Sequence, residues 1–267
     1  MRWKRTAEWL LRVVLGLVVL RFLLWMFVCD TFRVNGESME PTLHTGQRIL
    51  VDKIRFGARI YTKFNFDTTM LSCIRTPGLR KVKVGDVVAF NYPLGRDRYK
   101  IEFKINYVYL KRCLGCPGDT VEIRGGRVLN RRVPEYAFSP EKQDALARME
   151  ADSLPGFSRF VFPYTEEDRW TVKEFGPLRI PRKGDTVLMN RRAAGIYRVL
   201  IEYETGTLPV VDLQGHISIC NKIVETYTFT HDYYFMMGDN VLASHDSRYF
   251  GLVPEDYIIG VSILTKP

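Results

Sequence analysis

An apolar run from Leu10 to Val28 constrains this chain more than any other feature. As a helix it would reach roughly 28 Å, close to the ~30 Å of a hydrocarbon core, so one crossing fits. Arg12 and Arg21 interrupt it, and an arginine near a helix centre costs about 2.5 to 3.5 kcal/mol on insertion scales. Arg12 can snorkel to an interface; Arg21 is harder to place. Even so, apolar residues fall on every face with no polar stripe, unlike the amphipathic helix of a soluble core. We expect a transmembrane anchor over 10–28, a cytoplasmic N-terminus over 1–9 and an extracytoplasmic domain over 29–267.

The anchor is expected to stay on the chain. Phe27-Val28-Cys29 offers no small residues for a signal-peptide cut, and Cys29 lacks the small residue that precedes a lipidated cysteine. Arg2, Lys4 and Arg5 come before the run, so the positive-inside bias puts the N-terminus in the cytoplasm and everything from Asp30 outside.

Beyond the anchor about 240 of the 267 residues remain, 46% of the whole being hydrophobic. That suffices for one large domain or a domain with an insertion. The net charge of +9 comes from basic residues scattered among 30 acidic ones, with no arginine-rich helix or RNA-binding motif. Nucleic acid is therefore not an expected partner; anionic membrane lipid is. The five cysteines, Cys29, Cys73, Cys113, Cys116 and Cys220, are odd in number and too few for a disulfide scaffold. An extracytoplasmic setting would allow one pair to be oxidised.

The remainder reads as short β-runs separated by glycine turns. They are Arg48 to Lys53, Val87 to Tyr92, Tyr107 to Arg112, Val121 to Arg124 with Arg127 to Leu129, Ile223 to Phe229, Tyr233 to Met237 and Tyr257 to Leu264. A mainly β fold follows. Val84-Gly85-Asp86-Val87, Pro117-Gly118-Asp119-Thr120 and Lys183-Gly184-Asp185-Thr186 echo one another; a turn glycine at positive φ accounts for all three. Between about 131 and 219 the texture changes, with prolines, a helix-like patch from Glu141 to Glu150 and a basic loop at Arg191-Arg192. This stretch is expected to be an inserted subdomain.

Ser38 lies only ten residues beyond the anchor, in a segment that Pro41 makes extended or turned. A serine needs a base to act as a nucleophile at neutral pH. His245-Asp246 beside Ser244 suggests a triad, but adjacent residues of an extended segment point to opposite faces, so Asp246 is not placed to orient His245. Lysine is the other possible base, provided burial lowers its pKa by several units. Lys111 lies in the apolar, aromatic run Tyr107-Val108-Tyr109-Leu110-Lys111-Arg112, which could desolvate an ammonium; a solvated strand end is the plainer reading of Lys111-Arg112 alone. Cys113 and Cys116 with His216 and Cys220 have spacings that permit zinc without being diagnostic of it. No metal is expected there.

Four blocks in order decide between these readings. They are Gly36-Glu37-Ser38-Met39-Glu40-Pro41-Thr42-Leu43 with Gly46; Val84-Gly85-Asp86-Val87-Val88-Ala89-Phe90; Leu110-Lys111-Arg112-Cys113 through Gly115 to Pro117-Gly118-Asp119; and Gly238-Asp239-Asn240 with Ser244, Asp246-Ser247-Arg248-Tyr249, Gly251, Val253-Pro254 and Gly260. In these the chain resembles the type I signal peptidases, which cut signal peptides from secreted proteins. The resemblance implies a signal-peptidase-like β domain with an inserted second subdomain, following one N-terminal transmembrane helix in the bacterial cytoplasmic (inner) membrane.

By that resemblance Ser38 is the nucleophile, Lys111 the neutral general base, and Ser244 the hydroxyl that orients the lysine amine. Asp239 with Arg112, and Asp246 with Arg248, match the family's bracing charge pairs. The oxyanion would be met by the Ser38 backbone N–H. Some relatives add a hydroxyl two residues before the nucleophile, where this chain has Gly36, and many carry Arg-Asp where it has Val241-Leu242. The implied substrates are signal peptides of exported preproteins with small residues one and three before the cut, and no cofactor is required. A dedicated peptidase for one pilin or conjugation subunit would share this fold, although the full motif set favours a general enzyme. A non-catalytic tethered module is disfavoured by intact Ser38, Lys111 and Ser244. A repressor-type self-cleaving protease is disfavoured by an anchor where its DNA-binding domain would be.

Overall fold

The computed structural model describes residues 2–63, 71–94, 100–130, 132, 137–150, 161–163, 165 and 168–263. Helix α1, Arg2–Phe27, carries the apolar run. Its segment Arg5–Phe27 is long and apolar enough to cross a membrane, and none of its most apolar window is buried in protein. The helix begins before the apolar run because the flanking arginines and lysine are themselves good helix formers. Lys53 closes its other end. The Lys53 ammonium donates to Trp25 O at 2.8 Å, where a helix C-terminus favours a cation, and pairs with Asp30 at 3.2 Å.

Seven strands build the main sheet: β1 (Cys29–Arg33), β2 (Arg48–Asp52), β3 (Val87–Asn91), β4 (Val108–Gly115), β5 (Tyr233–Met237), β6 (Val253–Pro254) and β7 (Ile258–Ser262). Their order is β1-β2-β7-β3-β4-β5-β6, antiparallel throughout. The sheet curls as a half-barrel and is covered on both faces. Along β3, Val88 and Phe90 join the large core, whereas Val87 and Ala89 join a smaller one with Val34, Met39, Leu43, Ile49, Val51 and Ile259. A strand buried on both sides is largely apolar, which is why Val87 to Phe90 reads as an unbroken hydrophobic run; the buried Asn91 that ends it donates to Lys104 O and Ile105 O.

Between Gly115 and Tyr233 no described residue joins this sheet. A three-stranded sheet forms there from Thr120–Arg124, Arg127–Val128 and Phe175–Arg179, with helices α2 (Pro140–Arg148) and α3 (Arg191–Thr205). It shares the large core with the main sheet: the Phe175 and Phe235 rings meet at 5.4 Å. Gly85, Gly118 and Gly184 all have positive φ. In each turn the following aspartate accepts from the backbone N–H three residues before it, that of Lys83, Cys116 and Arg182.

Several elements differ from the sequence expectation. The run Ile223 to Phe229 is split: Lys222–Ile223 ends one small sheet and Thr226–Thr228 belongs to another; Cys220 and Asn221 at positive φ make the tight turn that pairs Lys222–Ile223 with Ser218–Ile219. Arg191-Arg192 is not a loop but the first turn of α3, capped by Asn190, whose side chain accepts from Ala193 N. Strand β1 was not anticipated, since Cys29-Asp30-Thr31-Phe32-Arg33 has little apolar content. Leu264 and parts of the 131–219 stretch lie outside the described residues.

Candidate active site

Ser38 sits in the loop between β1 and β2. The loop is turned, with Glu40 N donating to Glu37 O and Leu43 N to Met39 O. Met39 and Leu43 are buried in the smaller core and fix the loop from below, leaving Ser38 half-buried above it. From the other side, Asn240 N donates to Ser38 O at 3.1 Å and Asn240 Nδ2 to Glu37 O at 3.1 Å.

Lys111 comes from β4 and is 4% exposed. Its Nζ lies 2.7 Å from Ser38 Oγ and donates to Leu110 O at 3.1 Å. The amine also lies 5.2 Å from the Tyr109 ring centroid. Burial pulls it down to about 8; Asp246 and Asp239 pull the other way, and Arg248 lowers it further. An amine near 8 is neutral in a useful fraction of molecules at physiological pH, as a general base must be.

Arg112, next on the strand, is fully buried. It grips Asp239 through Nε at 2.8 Å and Nη2 at 2.5 Å, and donates to Gly85 O at 2.7 Å and Thr42 Oγ1 at 3.0 Å. Thr42 Oγ1 in turn donates to Asp239, tying the Ser38 loop to the β4–β5 end of the sheet. Arg248 holds Asp246 in the same two-pronged way, Nε and Nη2 each at 2.9 Å. Burial pushes the Asp246 carboxyl up, but Arg248 outweighs it and holds the group below the usual range. Asp246 also caps α4 (Ser247–Phe250) and accepts from Gly238 N.

Ser244 lies against Gly238, where a Cβ would collide with both the Ser244 hydroxyl and Ser38 O. Only glycine fits between them. The Ser244 hydroxyl helps hold the Asp246 carboxyl down, but is buried without a well-formed hydrogen bond among the described residues. The contact with the Lys111 amine expected from the sequence is thus not made in this conformation. A cleft of about 380 Å³ opens beside Ser38 and Lys111, with Phe32, Val34, Val108 and Leu110 among its apolar walls. Among the described residues the Ser38 N–H donates to no acceptor, and the space beside Gly36 is open.

The other candidates separate. His245 is exposed at the cleft and stacks on Tyr249 at 5.1 Å, while Asp246 is buried on Arg248, so the two do not form a triad. His216 pairs with Asp212 and Cys220 contacts Thr207. Among the described residues no three potential metal ligands cluster. Thr42 and Asn240 were given no role from the sequence, although both stand in the quoted blocks; their signal was proximity to Ser38 and Asp239 in those motifs.

A mainly β fold thus sets a serine against a buried lysine, and the family model described as signal peptidase, peptidase S26, matches residues 6–265. The chain belongs to the signal peptidase family, peptidase S26, and that membership makes it a peptidase. Similar proteins include signal peptidase IB of Staphylococcus aureus, 26% identical over 96% of this chain and 87% of the relative. Signal peptidase I of Buchnera aphidicola subsp. Baizongia pistaciae is 26% identical over 91% of this chain and 71% of the relative.

Proposed function

We propose that this protein is a membrane-anchored serine endopeptidase that removes N-terminal signal peptides from exported preproteins with a Ser38/Lys111 dyad. The observation that carries this reading is the 2.7 Å approach of Lys111 Nζ to Ser38 Oγ, in a site where burial pulls the amine down to about 8. Neutral Lys111 Nζ accepts the Ser38 Oγ proton as the oxygen attacks the scissile carbonyl, then passes that proton to the leaving amine. Water, deprotonated by the same amine, hydrolyses the resulting ester. The Ser38 N–H meets the oxyanion, a contribution of about 3 kcal/mol; Gly36 adds no side-chain donor.

Ser244, buried against Gly238, orients Lys111 once it is neutral. The Arg112/Asp239 and Arg248/Asp246 pairs brace the site rather than react. Helix α1 crosses the bacterial cytoplasmic membrane with its N-terminus inside and the sheet outside. The five residues of β1, roughly 17 Å of strand, separate α1 from the Ser38 loop, so the cut falls close to the lipid surface where a signal peptide emerges. The extracytoplasmic unit spans 29–267 with an insertion at about 131–219, and the dyad chemistry needs no cofactor. The names of the relatives support signal peptides as the substrate.

The test is cleavage of several preproteins by the full chain in detergent or vesicles. Ser38→Ala and Lys111→Ala should each reduce the rate by about four orders of magnitude or more while leaving the fold intact. Full activity in either variant would overturn the dyad.

A further inference from the structure

Cys113 and Cys116 are three residues apart at the end of β4. On a regular strand such side chains point to opposite faces, yet here the two sulfurs lie 3.7 Å apart. The cause is Leu114. Phe235 pairs with Gly115 and Met236 with Cys113, so Leu114 is an unpaired extra residue, a β-bulge that turns the strand and brings both sulfurs to one side. The backbone on either side of the bulge is held. Cys113 N donates to Asp86 O at 2.8 Å and Gly85 N to Cys113 O at 2.9 Å; Cys116 N donates to Asp119 Oδ2 at 2.8 Å.

The two thiols have unequal surroundings. Cys113 is fully buried and Cys116 only partly. Burial pushes the Cys113 thiol well up, whereas the hydrogen bond from Cys113 pulls Cys116 down and the Arg132 charge adds to this; Arg132 is held nearby on Asp119 at 2.6 Å. A reachable, acidified thiol backed by a buried one is the arrangement that exchanges with disulfides.

We propose that Cys113 and Cys116 form a thiol–disulfide exchange site whose co-reactant is a small-molecule or protein disulfide. The Cys116 thiolate attacks one sulfur of the donor, forming a mixed disulfide and expelling the first donor thiolate, which takes up a proton. Cys113 then gives up its proton and attacks the Cys116 sulfur, expelling the second donor thiolate. Two protein thiols become one disulfide, and the donor disulfide becomes two thiols. The sulfurs close by about 1.7 Å to reach the ~2.05 Å of the bond. The product ties the Pro117-Gly118 turn to the strand across the bulge, two residues from Lys111. This site does not depend on the proposed substrate of the peptidase.

The experiment treats the reduced full chain in detergent with oxidised glutathione, then denatures it, alkylates the remaining thiols and maps them by mass. Of the five cysteines, Cys113 and Cys116 should be protected in one peptide lighter by two hydrogen atoms, and a dithiol should reverse this. Cys113→Ala should trap a glutathione adduct on Cys116, whereas Cys116→Ser should leave Cys113 unmodified. Alkylation of all five thiols, a lasting adduct on wild-type Cys116, or protection mapped to Cys29, Cys73 or Cys220 would each overturn the proposal. An adduct on Cys113 in Cys116→Ser would overturn the order of attack.

Discussion

Lys111 and Arg112 are neighbours on one strand and both are buried, 4% and 0% exposed, yet their surroundings are opposite. Arg112 is gripped by Asp239 at two points and by Thr42 and Gly85. For Lys111, among the described residues, no carboxylate lies within ion-pairing distance, and its amine meets a hydroxyl and a carbonyl. A lysine placed this way can escape the cost of burial by releasing its proton; an arginine cannot and must be paired. Burial therefore pulls a pKa down at one position and demands a charge partner at the next. Arg248 with Asp246 repeats the paired solution.

The strongest way to break this contrast is to make Arg112 resemble Lys111. Asp239→Ala leaves a buried guanidinium with no charge partner, and should cost about 3 to 5 kcal/mol of stability, read from the shift of the urea midpoint. Arg112→Met combined with Asp239→Leu should recover most of that loss, since it removes both charges together.

The converse change tests Lys111. Its folded pKa, about 8, lies below the unfolded value of ~10.4. The unfolded chain thus binds the extra proton between those values, and stability rises with pH across that window. Below about 8 the penalty is fully present. Lys111→Met should then be more stable than the parent by about 3 kcal/mol at pH 7, with the difference fading as pH approaches 10.4. Equal stability at every pH would mean that the lysine is solvated.

The smallest expected effect is on rate. If neutral Lys111 is the base, cleavage at low substrate should rise about tenfold per pH unit below pH 8 and level off above it. A profile whose acid limb is instead lost in His245→Ala would point to the exposed histidine at the cleft.

Much of this was legible in the sequence because it depends on local composition. The anchor shows as hydropathy, and β3 and β5 show as continuous apolar runs because both of their faces are covered. Lys111 is a charge in an aromatic run, but that run alone reads as a solvated strand end, and the ordered motifs are what single it out. What was not legible depends on tertiary approach. Nothing local says that Gly238 must lack a Cβ because Ser38 O and the Ser244 hydroxyl press on it, or that Thr42 reaches Asp239 across 197 residues. Nor could the start of α3 be read from Arg191-Arg192, where charge hides a helix that Asn190 begins. The bulge at Leu114 is a matter of register and has no signature of its own.

The strand order has a consequence for when the sheet can close. Among the described residues, strands β1 and β2, which flank the Ser38 loop, are joined within the sheet to β3 and to β4, which carries Lys111 and Arg112, only through β7. The piece that closes the sheet is the last described strand to leave the ribosome. Until residue 262 has been made and has docked between β2 and β3, the two parts of the sheet share no strand pairing, and the Thr42–Asp239 and Asn240–Glu37 contacts and the smaller core must hold them together. Assembly of the sheet therefore waits for its central strand, β7, which is also the last of the described strands along the chain.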